Sequence, residues 1–81
     1  MDDNKARILD ILKDLQPEFD FEDGSDFVES GYLDSFDVVT LVAELEDAFD
    51  VSISALDILP ENFSSLDSIA ALVEKSSKSR G

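Results

Sequence analysis

The clearest candidates for a chemical role are Asp34 and Ser35, within the segment 31–36, Gly-Tyr-Leu-Asp-Ser-Phe. Asp is a favoured N-cap residue, so the pair predicts the start of a helix. Ser35 would be the first helical residue, with its hydroxyl at the positive end of the helix dipole. The unpaired backbone N–H groups of a helix N-terminus favour an anion. A phosphate ester on Ser35 would therefore be well placed.

Catalysis by Ser35 itself is not supported by the composition. A serine nucleophile needs a base and an oxyanion hole, and the chain contains neither His nor Cys. Asp34 is adjacent, but the carboxylate of an N-cap is engaged by backbone N–H groups. We therefore predict a non-catalytic protein. These residues alone leave two interpretations open: Ser35 is an attachment point, or Asp34 and Ser35 only cap a helix, which is the commoner case.

Acidic charge dominates the chain, which has 20 acidic and 6 basic residues and a net charge of −14. No Lys or Arg lies between Lys13 and Lys75. This charge argues against binding to nucleic acid or to anionic membranes, and it favours a partner with a basic patch. The alternative is an acidic surface that only keeps the protein soluble.

The length of 81 residues corresponds to one small domain. We expect flexible residues at 1–4 and 76–81 around a domain at 5–75. The apolar runs are too short and too interrupted by acids for a membrane span. The N-terminus lacks the basic and apolar pattern of a signal peptide. We therefore predict a cytoplasmic monomer.

Hydrophobic spacing predicts an all-α fold with three main helices and a short one. The first helix is capped by Asp2, Asp3 or Asn4 and ends near Gln16, before Pro17. The second spans 35–49, and the last begins after Ser64 or Ser65 and ends near Lys75. Short turns are expected at 55–58 and 60–63. The long connection 17–34 should pack through Phe27 and Leu33, with one helical turn near 25–29, and its length allows helices one and two to run parallel or antiparallel.

The predicted second helix has apolar residues on two faces. The wider face, predicted for the core, consists of Val38, Leu41, Val42, Leu45 and Phe49. A narrower row consists of Phe36, Val39 and Ala43, surrounded by acidic residues. This second row either contacts a partner or packs under the long connection.

An acidic cluster at 20–26 raises the possibility of a calcium loop around Gly24. In an EF-hand loop centred on that glycine, Phe19 and Phe21 would occupy the first and third ligand positions, and neither can coordinate a cation. We therefore predict a solvated acidic turn and no metal site.

Segment 31–36 and the helix that follows it resemble acyl and peptidyl carrier proteins. In that family a Gly precedes an Asp-Ser-apolar triplet at the start of the second helix, which carries aliphatic core positions and ends with an acidic pair and a Phe. The resemblance covers about residues 5–75, including the long first loop, the short third helix and Ser64-Ser65-Leu66 before the last helix. It implies a small four-helix bundle of acyl-carrier type.

The resemblance also implies a function for Ser35, with Asp34 beside it. A phosphopantetheinyl transferase would attach 4′-phosphopantetheine from coenzyme A to Ser35. The thiol of this arm would carry an acyl or aminoacyl group as a thioester. A loading ligase and downstream acyl transferases or synthases with basic patches would be the partners. The pathway could be of fatty-acid, polyketide, nonribosomal-peptide or D-alanylation type.

By the same resemblance, the surface of the second helix docks the partner enzymes. The docking residues would be Phe36, Asp37, Val39, Thr40, Ala43, Glu46 and Asp47. Residues that could enclose a cargo between the helices would be Val38, Leu41, Val42, Phe63 and Ile69. The chain departs from fatty-acid carriers in having Phe after Ser35, and Gly-Tyr-Leu-Asp-Ser is nearer to D-alanyl and stand-alone peptidyl carriers. The alternative function is an acidic helical interaction module without a covalent arm.

Overall fold

The computed structural model describes residues 3–80, with side chains described for residues 3–77. It contains three α-helices: α1 (Asp3–Leu15), α2 (Ser35–Phe49) and α3 (Leu66–Arg80). Two short 3-10 helices, η1 (Ala55–Asp57) and η2 (Pro60–Phe63), lie between α2 and α3. Residues 3–80 contain no strand, and no helix in this part of the chain is long and apolar enough to cross a membrane. The all-α fold of acyl-carrier type is confirmed, with the short third helix present as η1 and η2.

The side-chain contacts show that α1 and α2 run antiparallel. Gln16, directly after α1, donates from Nε2 to Asp37 Oδ2 at 2.8 Å, near the start of α2. Arg7, in the first half of α1, donates to the backbone carbonyl of Ala48 and lies over the ring of Phe49, 4.4 Å from its centroid. The end of α1 is therefore beside the start of α2, and its first half is beside the end of α2.

One hydrophobic core joins the three helices, because α1 packs against both α2 and α3. Its buried members are Ile8, Leu9, Leu12, Phe21, Phe27, Leu33, Leu41, Val42, Leu45, Val51, Ile53, Phe63, Ile69, Leu72 and Val73. Of the core face predicted for α2, Leu41, Val42 and Leu45 are buried. Val38 and Phe49, at its two ends, are half-buried against the same core.

Helix α3 is longer than the sequence predicted. It continues past Lys75 to Arg80. Ser76 is only 3% exposed, and it follows Leu72 and Val73 at helical spacing, so a small polar residue extends the buried stripe. Met1, Asp2 and Gly81 lie outside the described residues. The flexibility and domain bounds expected at 1–4 and 76–81 stay predictions.

The connection between α1 and α2 is packed onto the core and brings Asp34 to its position. Phe27 and Leu33, the predicted anchors, are buried. The backbone N–H of Phe27 donates to Ser64 O at 2.9 Å, and that of Leu33 donates to Phe27 O at 3.0 Å. The expected helical turn is present, since Ser30 N–H donates to Asp26 O at 2.9 Å.

The acidic cluster of this connection caps local turns. Asp20 Oδ1 accepts from the N–H of Glu22 at 2.9 Å, and Asp23 Oδ1 accepts from that of Ser25 at 2.8 Å. Short side chains of this type commonly bond the backbone two residues ahead. Within residues 3–80, no three His, Cys, Asp or Glu side chains are grouped so that they could hold a metal ion.

A hydrogen bond from the Tyr32 hydroxyl to Asp23 Oδ2 closes the connection on itself. This bond lowers the pKa of Asp23 below its ordinary value of 3.8 and raises the pKa of Tyr32 above 10.0. Because the pKa of Asp23 is lower in the folded protein than in the unfolded chain, this carboxylate stabilises the fold at pH values above its unfolded-state pKa. The stabilisation is lost as the pH falls through the folded-state pKa. Because the pKa of Tyr32 is higher in the folded protein than in the unfolded chain, this phenol stabilises the fold at pH values below its unfolded-state pKa. The stabilisation is lost as the pH rises through the folded-state pKa.

Replacement of Tyr32 by Phe tests this bond. The ring stacks on Phe19 with centroids 4.7 Å apart, and Phe retains that contact. We expect the melting temperature of Tyr32→Phe to be lower than that of the wild type, and the difference to be largest between about pH 5 and pH 9. The margin should narrow at both extremes, which thermal unfolding followed by circular dichroism would measure. A margin that is constant from acid to alkaline pH would contradict this prediction.

Candidate functional site at the start of helix α2

A reciprocal pair of hydrogen bonds starts helix α2. Asp34 is the N-cap, and its Oδ1 accepts from the backbone N–H of Asp37 at 2.9 Å. Asp37 Oδ2 accepts from the N–H of Asp34 at 3.3 Å, completing a capping box. Asp37 also accepts the bond from Gln16 described above, which joins the start of α2 to the end of α1. The predicted N-cap role of Asp34 is confirmed.

Ser35 is the first residue of α2 and is exposed to solvent. Its hydroxyl therefore lies in the first turn of a 15-residue helix, where the helix dipole favours a negatively charged substituent. The preceding Asp34 already directs a carboxylate oxygen to the backbone. This arrangement favours modification of Ser35 by another protein over a role for Ser35 as a catalytic nucleophile.

An apolar cleft of about 400 Å³ opens beside Ser35. Three segments supply its apolar walls: Val28 and Leu33 from the long connection, Val38 and Val39 from α2, and Ile58, Leu59 and Pro60 from the region of η1 and η2. Asp34 and Ser35 themselves line the cleft. A group attached to the Ser35 hydroxyl could place apolar atoms in the cleft while its charged atoms remain at the helix end.

Gly31 also lines this cleft, and its φ is +80°. Residues with a Cβ rarely adopt this left-handed conformation, whereas glycine adopts it readily. A Cβ at this position would meet no atom within 4 Å, so the backbone angle and not the available space explains the glycine. The glycine before Asp-Ser therefore helps to turn the chain into α2.

The predicted docking residues separate into two groups. Phe36 and Val39 are 77% and 64% exposed. Ala43 and Asp47 are exposed as well and lie at helical spacing from them. We call Phe36, Val39, Ala43 and Asp47 the open row. The long connection does not cover Phe36 or Val39, so that alternative from the sequence is wrong.

Structural hydrogen bonds occupy the other predicted docking residues. Asp37 belongs to the capping box. Glu46 Oε2 accepts from the N–H of Ile53 at 2.9 Å and holds the chain as it leaves α2. Thr40 Oγ1 donates to Phe36 O at 3.2 Å. All three are half-buried at the edges of the exposed face of α2.

Two leucines in the region of η1 and η2 are exposed. The side chains of Leu56 and Leu59 are 85% and 43% exposed. Ser54 caps η1 by accepting from the N–H of Leu56 at 3.2 Å. The resulting turn leaves Leu56 in solvent while Ile53 is buried. No local pattern in the sequence distinguishes the outward leucines from the inward isoleucine.

The residues suggested for enclosing a cargo do not form one cavity. Leu41, Phe63 and Ile69 are fully buried in the core, and Val42 is nearly so. Of the five, Val38 lines the cleft beside Ser35. Within the described part of the chain, the space that lies directly beside Ser35 is the surface cleft.

Residues 5–73 match the protein family described as "Phosphopantetheine attachment site". The chain belongs to this family of phosphopantetheine carrier proteins. The D-alanyl carrier protein of Lactococcus lactis subsp. cremoris, strain MG1363, is 33% identical over 73 residues, which cover 88% of this chain and 92% of the relative. The D-alanyl carrier protein of L. lactis subsp. lactis, strain IL1403, matches with the same identity and coverage.

The cofactor of the carrier family is phosphopantetheine, and the residues present fit it. An exposed serine begins a long helix, so both a hydroxyl for a phosphoester and a favourable end of the helix dipole are available. The adjacent cleft has apolar walls that suit the less polar parts of such a group. The start of α2 thus combines a hydroxyl, a favourable helix end and an apolar cleft, and all three suit such a group.

Proposed function

We propose that Ser35 is the attachment point of 4′-phosphopantetheine and that the carrier domain delivers acyl or aminoacyl groups to partner enzymes as thioesters. The observation that carries this proposal is the exposed serine at the first position of α2, beside an apolar cleft. When bound, the group supplies a thiol, which a chain without cysteine lacks. The carrier domain itself performs no catalysis in this proposal and acts as a monomer in the cytoplasm.

The residues around Ser35 hold the first turn of α2 and leave the hydroxyl accessible. Asp34 and Asp37 bind each other's backbone N–H groups, so both carboxylates are directed partly to the backbone. Gln16 holds Asp37 in place from α1. The enzyme that modifies Ser35 therefore meets a preformed helix end, with Asp34 next to the reacting hydroxyl, and it need not order a loop.

For the cargo, we propose a small aminoacyl group of the D-alanyl type. Two relatives that are 33% identical over 73 residues, which cover 92% of each relative, are named D-alanyl carrier proteins. The packed core supports the same choice. Leu41, Phe63 and Ile69 are fully buried, so they offer no surface against which a long acyl group could pack between the helices. An ammonium group would remain in water outside the apolar cleft, since burying an unpaired charge is costly.

The attachment is tested by the intact mass of the apo-protein after incubation with coenzyme A and a broad-specificity phosphopantetheinyl transferase. We expect a gain of one phosphopantetheine, which tandem mass spectrometry assigns to the peptide containing Ser35. A folded protein that gains no mass would refute the proposal and would favour an interaction module without an arm.

The cargo is tested on the modified protein with an ATP-dependent D-alanine-activating ligase. We expect a further mass gain of one alanyl group that is removed by hydroxylamine, as a thioester should be. L-Alanine and octanoate, each offered with its own activating ligase, are the comparison substrates. Equal loading of octanoate and D-alanine, with equal protection of both thioesters from hydrolysis, would contradict a small-cargo carrier.

Charge reversal at Asp47 tests the open row as the docking surface. Asp47 is exposed on α2, and its acidic charge should attract the basic patch of the transferase. We expect Asp47→Lys to lower kcat/KM for the attachment about fivefold at low salt, equivalent to about 1 kcal/mol. The loss should shrink at higher ionic strength because salt screens exposed charges.

Asp10→Lys is the matched control, since Asp10 is exposed on α1 and the change in net charge is identical. Asp37 is unsuitable for this test because its removal would also disrupt the capping box. Equal losses for the two variants would show that net charge alone, and not the open row, governs the encounter.

A further inference from the structure

The end of helix α1 reaches the site of attachment through the side chain of Gln16. Its Nε2 donates to Asp37 Oδ2 at 2.8 Å. The same carboxylate oxygen accepts from the backbone N–H of Asp34 at 3.3 Å, and Asp34 Oδ1 accepts from the N–H of Asp37 at 2.9 Å. These two members of the capping box stand on either side of Ser35 in the chain. Gln16 therefore contacts the box at the residue that closes it.

The backbone of Gln16 is itself held at the end of α1. Its N–H donates to Leu12 O at 2.8 Å, which extends the hydrogen bonding of α1 by one residue, and its carbonyl accepts from the N–H of Phe19 at 3.3 Å. The residue is half-buried. A side chain that starts from a fixed, partly covered position has less conformational freedom to lose when it binds. A hydrogen bond to a carboxylate is also stronger than one between neutral groups.

The first turn of α2 is the part of that helix that most needs support. The N–H groups of a first helical turn have no partner within the helix, and helix ends fray. The bond from Val38 N–H to Asp34 O, at 2.9 Å, closes the turn that contains Ser35. The bond from Asp34 N–H to Asp37, at 3.3 Å, is longer than most hydrogen bonds between these atom types. The shorter bond from Gln16 is therefore the stronger hold on the carboxylate of Asp37.

Arg7 makes the corresponding contact at the other end of the same pair of helices. It donates to Ala48 O and lies over the ring of Phe49, 4.4 Å from its centroid. Gln16 and Arg7 both join α1 to α2, and of the two it is Gln16 that lies beside Ser35. A comparison of these residues therefore separates general stabilisation of the helix pair from an effect on the serine.

Gln16 supplies its bond to Asp37 without adding a positive charge. Lysine ion pairs are found instead at acids of other segments: Glu22, Asp57 and Asp67. A lysine at position 16 would offset the charge of Asp37 next to the serine, where acidic charge attracts a basic partner. The neutral amide therefore fixes the start of α2 and leaves its acidic charge in place.

We propose that Gln16 is a positioning residue for the modification of Ser35, because its hold on Asp37 keeps the first turn of α2 formed in the complex with the transferase. In the transfer, the Ser35 oxygen bonds to the phosphorus that carries the pantetheine, and the phosphoanhydride bond of coenzyme A breaks. Adenosine 3′,5′-bisphosphate leaves, and the serine proton passes to a base of the enzyme. The attacking and leaving oxygens must lie in line, so a serine on a frayed turn reacts more slowly even when bound. This inference rests on the proposed attachment at Ser35.

The test is single-turnover modification of the apo-protein at moderate salt, with the transferase in excess over a range of concentrations. These data give the rate at saturating transferase and the half-saturating concentration separately. We expect Gln16→Met, which lacks the donor, to lower the saturating rate about fivefold. Its half-saturating concentration should stay close to that of the wild type, because most of the open row lies beyond the first turn of α2. Gln16→Glu, which places a second carboxylate against Asp37, should lower the saturating rate further.

Arg7→Met is the matched control, since it breaks the contact between α1 and α2 at the end remote from Ser35. It should lower the melting temperature, as Gln16→Met does, and be modified at the wild-type rate, with moderate salt screening its change in charge. Gln16→Lys retains a donor and should keep the wild-type saturating rate. Its half-saturating concentration should rise, because the added charge offsets that of Asp37.

Amide hydrogen exchange followed by NMR shows whether each variant is folded and where it has loosened. Gln16→Met should speed exchange at the N–H groups of Asp37 and Val38, and Arg7→Met at the other end of α2. A folded Gln16→Met or Gln16→Glu variant with the wild-type saturating rate, or slowed no more than Arg7→Met, would overturn the positioning role while Ser35 is still modified. So would a Gln16→Lys variant as slow at saturation as Gln16→Met. A wild type that is not modified at all would refute the proposed function instead, so the two failures are distinguishable.

Discussion

A Ser35→Ala variant is expected to gain no phosphopantetheine under conditions in which the wild type gains one group per chain. Ser35 follows the cap of its helix, so its hydroxyl is not the capping group. The other serines at helix starts are used differently. Ser65 Oγ accepts from the N–H of Ser68 at 3.1 Å at the start of α3, and Ser54 Oγ accepts from that of Leu56. Among residues 3–80, Ser35 is therefore the serine that combines a helix N-terminus with the apolar cleft.

Two control variants separate this effect from a general loss of serine or of folding. Ser30→Ala removes an exposed hydroxyl five positions earlier in the same connection, and it should be modified like the wild type. Ser65→Ala removes a capping hydroxyl and should lower stability by about 1 kcal/mol without preventing modification. Intact mass spectrometry reports all three results. Modification of Ser35→Ala to the wild-type extent would place the arm elsewhere and refute the assignment.

A Leu45→Ala variant is expected to lose about 2–5 kcal/mol of the free energy of unfolding. Leu45 lies in the middle of α2 and is completely buried in the core that α1 and α3 share. Truncation removes apolar contacts and leaves a cavity that the surrounding helices can fill only in part. A domain of this length has a total stability of about 4–12 kcal/mol. The substitution should therefore remove from about a sixth to all of this stability.

Urea unfolding followed by circular dichroism measures this loss. Val39→Ala is the matched control, because Val39 is on the same helix but mostly exposed. We expect that control to change the free energy of unfolding by less than about 0.5 kcal/mol. A Leu45→Ala variant as stable as Val39→Ala would show that the inner face of α2 is assigned wrongly.

Local chemistry made several parts of the fold predictable from the sequence. Asp34 caps α2 because a short carboxylate can reach the first free N–H groups of a helix. Ser54 starts η1 because its hydroxyl oxygen likewise reaches a free N–H group, and Pro60 starts η2 because its fixed φ suits a first helical position. Each of these features depends on residues within one turn of one another. The sequence therefore determined where α2, η1 and η2 begin, and that Ser35 is the first residue of a helix.

Which apolar residues are buried was decided only by the tertiary structure. Phe36 and Leu56 are open, whereas Phe21 and Ile53 are covered, although nothing in their immediate neighbours separates the two pairs. The length of α3 was missed for the same reason, since Ser76 continues the helix by packing into the core. Burial depends on which distant segments meet at a position, and spacing along the chain does not encode that.

The sequence by itself determined the class of this protein: an all-α acidic domain of the phosphopantetheine carrier family with a serine at the start of a capped helix. The tertiary structure decided how that serine is surrounded. It placed the cleft between α2 and the η1–η2 segment, directed Asp37 and Glu46 to structural bonds, and left Asp47 and Leu56 in solvent. The physical reason is that a cap forms between near neighbours, whereas a cleft and its rims exist only once separate helices have packed together.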